Sequence, residues 1–179
     1  MSKKCKKMLK CGNCFLSLRR YFFKNNMTDF IGEYDCKVDA KGRILLPTAF
    51  RRKMGDAEPY RFVIKTNMYE QCLDLYTIEA WEEQDKKIKE VIDPFDDEHL
   101  QVQREFRRGA SEVECDPTGR ILVPGRLLKQ AEIVNDAILT GFYGKIEIWS
   151  PDNHRKSGGD EKERIERYKR IMSNKKSKL

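Results

Sequence analysis

The sequence has few of the residues and patterns that are typical of enzymes and metal proteins. Histidine occurs only twice, as His99 in a charged segment and His154 near the C-terminal end, and we expect both on the surface. The chain contains no Gly-rich phosphate loop, no nucleophile elbow and no regular spacing of metal ligands. We therefore predict a protein without catalytic residues, bound metal or cofactor.

Long hydrophobic runs are also absent. No apolar stretch approaches the roughly 20 residues that a membrane-spanning helix requires. Paired CxxC spacings are missing as well, since the six cysteines are scattered as Cys5, Cys11, Cys14, Cys36, Cys72 and Cys115. Scattered single thiols suit a reducing compartment, so we predict a cytoplasmic protein that does not enter the membrane.

An excess of basic residues exists only at the two ends of the chain. The net charge is +7, but residues 1–26 contain eight Lys or Arg and no acidic residue, and residues 154–179 contain ten Lys or Arg against four acidic residues. Residues 27–153 consequently carry a net charge of −7. Overall basicity therefore does not predict nucleic-acid binding, and a DNA-binding surface has to be a local patch on an acidic body.

The most informative pattern is an internal repeat. Residues 38–47 have the sequence VDAKGRILLP, and residues 115–124 have the sequence CDPTGRILVP. The shared frame D-x-x-G-R-I-L-x-P recurs 77 residues further along the chain. Each copy is followed by a short helical stretch and two strand patterns, so we predict two copies of one β-rich unit.

The repeat itself predicts a strand, a tight turn and a second strand. The acidic residue of each copy, Asp39 or Asp116, can accept hydrogen bonds from the backbone N–H groups that follow it. The glycine of each copy, Gly42 or Gly119, supplies the positive φ that a tight turn requires. These four residues are therefore predicted to position the turns.

Arg43 and Arg120 follow the turn glycines directly, and two interpretations of them are open. Each arginine can brace the acidic residue of its own turn in a purely structural ion pair. Alternatively, the turn holds the guanidinium so that it reaches a DNA phosphate or a base edge. The two interpretations are compatible, because a guanidinium has five donors and a carboxylate uses only some of them.

Basic residues are more numerous near the first copy than near the second. The first group comprises Lys37, Lys41, Arg51, Arg52 and Lys53. The second group comprises Arg126 and Lys129, with Thr118 in place of Lys41. Any one of these residues is typical of an ordinary solvated face, but together they are a candidate phosphate-contact patch. We predict DNA contacts from Arg43, Arg120, Lys41, Lys37, Arg51 and Arg52, and we expect the first copy to contribute more charge.

The segments outside the repeats predict helices. Thr77 can cap a helix that runs to about Val91, and Asp93 can cap a second helix with Pro94 at its first position. A third helix is predicted over residues 160–172. The segments LDL at 73–75 and IEI at 146–148 alternate apolar and acidic residues, which predicts half-buried strands.

Taken together, these motifs closely resemble the MraZ family of bacterial regulators. The resemblance rests on Gly32–Tyr34, on DAKGRILLPTAFR at 39–51, on the second copy at 116–124, and on LDLY at 73–76 and IEIW at 146–149. It covers roughly residues 29–153. One copy of the motif alone would indicate only the wider AbrB-like group.

The resemblance implies a mainly β fold with helices (α+β), namely a duplicated swapped-hairpin AbrB-like β-barrel with pseudo-two-fold symmetry. It also implies a ring-shaped homo-oligomer of the octameric type in the cytoplasm, at the nucleoid. Family members regulate transcription by binding short direct repeats in double-stranded DNA upstream of their own gene, at the head of the division and cell-wall gene cluster. The Asp and Arg of the family motif fall on Asp39 and Arg43, and on Asp116 and Arg120.

We accordingly expect five segments along the chain. They are a basic extension at 1–28, a first repeat at 32–79, a helical linker at 80–108, a second repeat at 109–152, and a C-terminal helix with a basic tail at 153–179. Members of the family usually begin where Met27 stands in this sequence. The extension is therefore expected to be disordered or the product of a mis-called start codon, and the alternative is a basic arm that adds phosphate contacts.

Two other functions are alternatives to DNA binding. AbrB-like folds also serve as antitoxin-type protein–protein interaction modules without sequence-specific DNA binding, and the acidic body fits such a role. An enzyme is disfavoured, because no group of residues can be assigned catalytic roles. A steep loss of DNA affinity with added salt would favour a DNA-binding protein over an interaction module.

Overall fold

The computed structural model describes residues 29–55 and 59–174, which comprise eight strands and six helices. The predicted extension at 1–28 and the end of the tail at 175–179 lie outside these residues. The first copy of the repeat forms β1 (Glu33–Lys37), β2 (Arg43–Leu45), α1 (Thr48–Met54), β3 (Arg61–Thr66) and β4 (Leu73–Thr77). Two helices follow, α2 (Ile78–Val91) and α3 (Asp97–Arg107). The rest of the described chain forms β5 (Ser111–Glu114), β6 (Arg120–Leu122), α4 (Gly125–Gln130), β7 (Asp136–Phe142), β8 (Lys145–Trp149), α5 (Pro151–Ser157) and α6 (Glu161–Asn174).

Strands of both copies are interleaved within one antiparallel sheet. Its order is β1–β7–β8–β4–β3–β5, so the first strand of each copy lies beside the third strand of the other copy. The remaining two strands, β2 and β6, pair with each other in a separate two-stranded ribbon. Four ladders, β1–β7, β3–β5, β4–β8 and β2–β6, thus join the copies, and the two repeats share one sheet and one core.

The closed β-barrel that the sequence predicted is not formed as a continuous ladder by the described residues. The six-stranded sheet and the β2–β6 ribbon are connected only by two single bridges, Val38 to Ile44 and Cys115 to Ile121. The ladders end quickly because a tight turn precedes each ribbon strand, and Pro47 or Pro124, which has no N–H to donate, follows it. The α+β class is confirmed, with sheet and helix both prominent.

The core lies between the sheet and the ribbon. One face of the sheet contributes side chains with no exposed surface, such as Ile64, Leu75 and Ile146. Ile44 and Ile121, which are opposite each other in the ribbon, are also fully buried. The ribbon is therefore anchored through its inner face, and its outer face points away from the core.

The caps of the two linking helices agree only in part with the prediction. Thr77 caps α2 as predicted, because its side chain accepts a hydrogen bond from the N–H of Ala80 over 3.2 Å. The prediction that Asp93 caps the next helix was wrong. Asp96 caps α3 by accepting from the N–H groups of Glu98 and His99, whereas Asp93 accepts from Phe95 in the preceding turn. None of the described helices is long and apolar enough to cross a lipid bilayer.

Candidate nucleic-acid interface

The first turn is built around the carboxylate of Asp39. One of its oxygens accepts hydrogen bonds from the backbone N–H groups of Lys41 and Arg43, each over 2.9 Å. The N–H of Gly42 donates to the carbonyl of Asp39 over 2.8 Å, and Gly42 has a φ of 81°. Only glycine adopts this left-handed conformation without strain, so the sequence prediction for the turn is confirmed.

Asp39 also holds the side chain of Arg43. The Nε of Arg43 donates to the second carboxylate oxygen over 2.7 Å. The backbone hydrogen bond from Arg43, followed by its guanidinium, lowers the pKa of Asp39 from 3.8 to about 2, so the pair is ionic at neutral pH. The ion pair uses only the Nε donor, and the two terminal nitrogens of Arg43 have no hydrogen-bond partner among the described residues. A held but unsaturated guanidinium can still donate to an external acceptor.

The second turn has the same backbone but a different side-chain arrangement. Asp116 accepts from the backbone N–H groups of Thr118 and Arg120, each over 2.9 Å, and from the hydroxyl of Thr118 over 2.6 Å. The Thr118 hydroxyl, followed by the N–H of Arg120, lowers the pKa of Asp116. The guanidinium of Arg120 makes no ion pair or hydrogen bond within the described part of the chain, and Arg120 is exposed. The two arginines therefore occupy equivalent positions in their turns, but only the side chain of Arg43 is held by an ion pair within the described residues.

Each turn glycine is covered by a helix residue from the other copy. Leu128 of α4 lies over Gly42, and Arg51 of α1 lies over Gly119. Arg51 and Leu128 occupy equivalent positions in the two copies, 77 residues apart, as do the two glycines. A Cβ at position 119 would come within 2.9 Å of the Arg51 guanidinium carbon. Arg51 also donates to the carbonyl of Leu46 and to the hydroxyl of Thr48, each over 3.2 Å.

The position of Arg51 adds a contact to those expected from the sequence. Its guanidinium donates to Leu46 of the first motif, with which the sequence grouped it, and also lies beside the turn glycine of the second copy. The cross-copy strand pairing brings it there, because it places α1 next to the opposite turn. The positive charge near the two turns is therefore more even than the count of basic residues per copy predicted.

The outer face of the ribbon combines both arginines with two leucines. Arg43 is opposite Leu122 and Leu45 is opposite Arg120, and these four side chains alternate with the buried isoleucines of the same strands. Directly opposite residues share one face of an antiparallel pair, so the four side chains form a single outward surface. We call this surface the ribbon face (Arg43, Leu45, Arg120, Leu122).

The other predicted contact residues differ in whether an acidic residue neutralises their charge. Lys37 is exposed on β1 but forms an ion pair with Asp136 of β7. Lys41 is exposed at the tip of the first turn, and Arg52 is exposed on α1. Neither of these two residues forms an ion pair within residues 29–55 or 59–174, so both carry unneutralised positive charge on the surface.

Four charged residues on the opposite face of the sheet were missed from the sequence. Lys65, Asp74, Lys145 and Glu147 lie on neighbouring strands, and Asp74 and Glu147 are buried rather than exposed as a half-buried strand pattern predicted. The ammonium of Lys145 is 2.6 Å from Asp74 and 3.0 Å from Glu147. Burial lowers the pKa of Lys145, but the two carboxylates outweigh this and raise it. The alternation of apolar and acidic residues was the available signal, but the sequence did not show that a linking helix packs on this face.

The thiol of Cys72 lies close to the same two carboxylates. Its Sγ and an oxygen of Asp74 and of Glu147 are within 4.8 Å of one another, a distance at which a metal ion can bind. The position of a cation is already taken by Lys145, however, and burial together with Asp74 raises the pKa of Cys72 far above its usual value. A protonated thiol is a poor metal ligand, so this group fits a buried ion-pair cluster better than a metal site.

Comparison with known proteins identifies relatives over most of the chain. A family model described as "MraZ protein, putative antitoxin-like" matches residues 30–102 and 106–166. The matched residues include both turns and all eight strands.

Curated relatives agree with the family model. A protein named Transcriptional regulator MraZ from Cytophaga hutchinsonii is 38% identical over 127 residues, which are 71% of this chain and 83% of the relative. The protein of the same name from Lachnoclostridium phytofermentans is 37% identical over 136 residues, covering 76% of this chain and 92% of the relative. A third, from Flavobacterium psychrophilum, is 33% identical and covers 75% of this chain and 85% of the relative.

Proposed function

This chain belongs to the MraZ family, and from that membership we propose that it is a transcription regulator that binds double-stranded DNA through its ribbon face. The observation that carries the proposal is the position of Arg43 and Arg120 on one outward surface. The relatives that it matches carry the name of transcriptional regulators. No step of this function requires a catalytic residue or a cofactor.

The chemistry of the ribbon face suits the major groove of DNA. A two-stranded β-ribbon fits the width of the groove, and arginine is the side chain that most often contacts guanine there. Asp39 orients Arg43, so less conformational entropy is lost when this side chain binds a base edge. Arg120 of the ribbon face and the exposed Lys41 and Arg52 can contact phosphates.

The acidic body makes one ribbon face a weak DNA-binding element, so we propose that affinity arises from repetition. A ring-shaped homo-oligomer, of the octameric type expected for the family, presents many ribbon faces at a fixed spacing. When one subunit is bound to a direct repeat, the next repeat meets its subunit intramolecularly, which can raise affinity by about 10²–10⁴-fold. The operator is then a set of short direct repeats upstream of the protein's own gene, and the protein is located in the cytoplasm at the nucleoid.

The strand exchange supports a swapped-hairpin interpretation of the fold. The segments at 32–79 and 109–152 are the two AbrB-like repeats in this proposal, and 80–108 is the helical linker between them. Each hairpin supplies a turn whose glycine is covered by the other copy, so the two turns are held at a fixed separation. A fixed separation is what contact with two neighbouring positions in one groove requires.

The second candidate is an antitoxin-type module that binds a protein rather than DNA. The words "antitoxin-like" in the description of the matching family model favour it, as does the ion pair that already engages Arg43. The two candidates differ in the charge of the partner and in the number of phosphate contacts, and salt distinguishes them.

The proposal is tested with a fluorescent DNA duplex from the region upstream of the protein's own gene. Fluorescence anisotropy should show tight binding by the wild type and at least about 100-fold weaker binding by Arg43→Glu or Arg120→Glu, since each substitution places a negative charge against DNA. Arg104→Glu, at an exposed position on α3, is the matched control and should bind like the wild type. Light scattering should show the same oligomer for all four proteins.

A salt titration of the same complex decides between the two candidates. A steep linear decrease of the logarithm of affinity with the logarithm of salt concentration is expected, because several phosphate contacts release counterions. Wild-type affinity in Arg43→Glu, or no binding of any duplex at low salt, would contradict DNA binding through the ribbon face.

A further inference from the structure

We propose that Leu45 and Leu122 contact the C5-methyl groups of thymine in the major groove, so that the ribbon face recognises thymine beside the bases contacted by arginine. This inference rests on the proposed DNA-binding function and adds a class of base to it. It assigns a role to two apolar side chains that the arginine motif does not explain.

The two leucines are exposed although they lie in strands next to the core. Leu45 is 48% exposed and Leu122 is 55% exposed, whereas Ile44 and Ile121 beside them are fully buried. The alternation of the strands places the leucines on the ribbon face, where no described residue covers them. Two neighbouring apolar side chains on a charged surface indicate a contact site rather than part of the core.

The register of the ribbon makes the arrangement symmetric. Arg43 is directly opposite Leu122 and Leu45 is directly opposite Arg120, so each arginine has a leucine as its cross-strand neighbour. Directly opposite residues have Cβ atoms about 5 Å apart. Successive base pairs are about 3.4 Å apart, so each leucine lies within about two base pairs of the base that its arginine contacts.

The charge of the ribbon face determines which partner fits the leucines. A second copy of this chain would bring its own Arg43 and Arg120 against the same surface, and like charges that face each other across a contact are unfavourable. DNA offers negative phosphates and guanine acceptors to the arginines. Arg120, which lacks a partner within the described part of the chain, is available to such an acceptor.

The major groove also offers one apolar group, which is the C5-methyl of thymine. Uracil has the same hydrogen-bonding groups and lacks only this methyl. An apolar side chain that is pressed against the methyl gains by excluding water from both surfaces. The leucines are therefore predicted to discriminate thymine from uracil at the same position, which the arginines do not do.

The experiment uses the full chain and two forms of the same upstream duplex, amplified with either thymidine or deoxyuridine triphosphate. The wild type is expected to bind the thymine duplex about three- to ten-fold more tightly than the uracil duplex. The double variant Leu45→Ala/Leu122→Ala should bind both duplexes with equal affinity. Leu45→Met/Leu122→Met, which keeps the side chains apolar, should retain the preference.

Val91→Ala is the matched control, because Val91 is 78% exposed and lies on α2, away from the ribbon. It should show the wild-type preference. Equal binding of both duplexes by the wild type, or an unchanged preference in the double alanine variant, would overturn the inference while leaving DNA binding intact. Dissociation of the oligomer in the double alanine variant would also overturn it, because the leucines would then form a contact between copies. Failure of the wild type to bind either duplex would instead remove the proposed function itself.

Discussion

At the scale of single residues, the two copies of the motif differ in how the side chain of their arginine is held. Asp39 binds two backbone N–H groups through one carboxylate oxygen and the Nε of Arg43 through the other. At the second turn the Thr118 hydroxyl and two backbone N–H groups all donate to one oxygen of Asp116, and the guanidinium of Arg120 has no hydrogen-bond partner among the described residues. We expect Arg43 to contribute orientation and Arg120 to contribute charge and adaptability.

The ionised state of Asp39 should appear in the pH dependence of stability. Its pKa is lowered from 3.8 to about 2 in the folded chain, so the stabilisation is fully present above about pH 4 and is lost as the pH falls towards 2. The difference in urea midpoint between the wild type and Asp39→Asn should therefore shrink when the pH is lowered from about 5 to about 2.

Asp152→Asn provides the comparison for this experiment, because Asp152 is an exposed carboxylate outside the turns. Its difference from the wild type should be small over the same range. A difference between wild type and Asp39→Asn that stays constant with pH would contradict the ionic role of Asp39.

Arg51 allows the contribution of the covering residue to be tested. Arg51→Leu copies the arrangement at the first turn, where Leu128 covers the glycine, so the free energy of unfolding should change by no more than about 0.5 kcal/mol. DNA affinity should fall, and the slope of its salt dependence should decrease by about 1, because one phosphate contact is removed. Chemical unfolding and anisotropy measure the two effects separately.

An unchanged salt slope in Arg51→Leu would show that Arg51 only fills the space above Gly119. The matched control is Arg52→Leu, at an exposed position one residue further along α1. Arg52 does not cover a turn glycine, but its loss is also predicted to decrease the slope of the salt dependence of DNA affinity.

At the scale of secondary-structure elements, the face of the sheet behind the core depends on buried charge. Helix α3 covers this face with Phe106, over whose ring the ammonium of Lys65 lies at 4.4 Å. Phe106 also stacks on Trp81 of α2, and Asp85 of α2 binds Arg107 of α3, so the linking helices are tied to each other as well as to the sheet. Burial of Lys65 is thus a consequence of the linker.

Lys145→Met should be among the most destabilising substitutions on this face. It leaves Asp74 and Glu147 buried without their cation, and removal of one partner from a buried ion pair costs about 3 kcal/mol or more. Urea unfolding measures the loss. Lys86→Met, which breaks a 3.9 Å pair with Glu90 on the exposed side of α2, should cost no more than about 0.5 kcal/mol. Equal effects of the two substitutions would contradict the importance of the buried cluster.

At the scale of the whole molecule, strand exchange makes the two copies dependent on each other. The ladders β1–β7, β3–β5 and β2–β6 all join residues of different copies, and their loss would expose the shared core. A chain divided between α2 and α3, into residues 1–92 and 93–179, should therefore give two fragments that are unfolded as monomers.

Mixing the fragments should restore the fold. Circular dichroism is expected to show strand and helix signals only for the mixture, and sedimentation should show a one-to-one complex. A fragment that folds cooperatively as a monomer would contradict the interdependence of the copies.

Much of the local structure could be predicted because it depends on neighbouring residues. The turns at Gly42 and Gly119, the cap at Thr77 and the strands around LDL and IEI all follow from short-range patterns, and the structure confirms them. The Asp93 cap was wrong for a local reason too, since four acidic residues between 93 and 98 offer competing caps. Helix α5 was missed because its seven residues, PDNHRKS, are nearly all polar and show no hydrophobic periodicity.

The sequence by itself determined the doubled turn and the arginine after it, because backbone hydrogen bonds within five residues and a positive φ are sufficient to define them. Only the tertiary structure decided that Arg51 lies over the other copy's glycine, that Arg43 is held by Asp39 while Arg120 has no partner among the residues the structure describes, and that Asp74 and Glu147 are buried. These outcomes depend on which strand of one copy pairs with which strand of the other, and that pairing is fixed by the shared core rather than by any short segment of the chain.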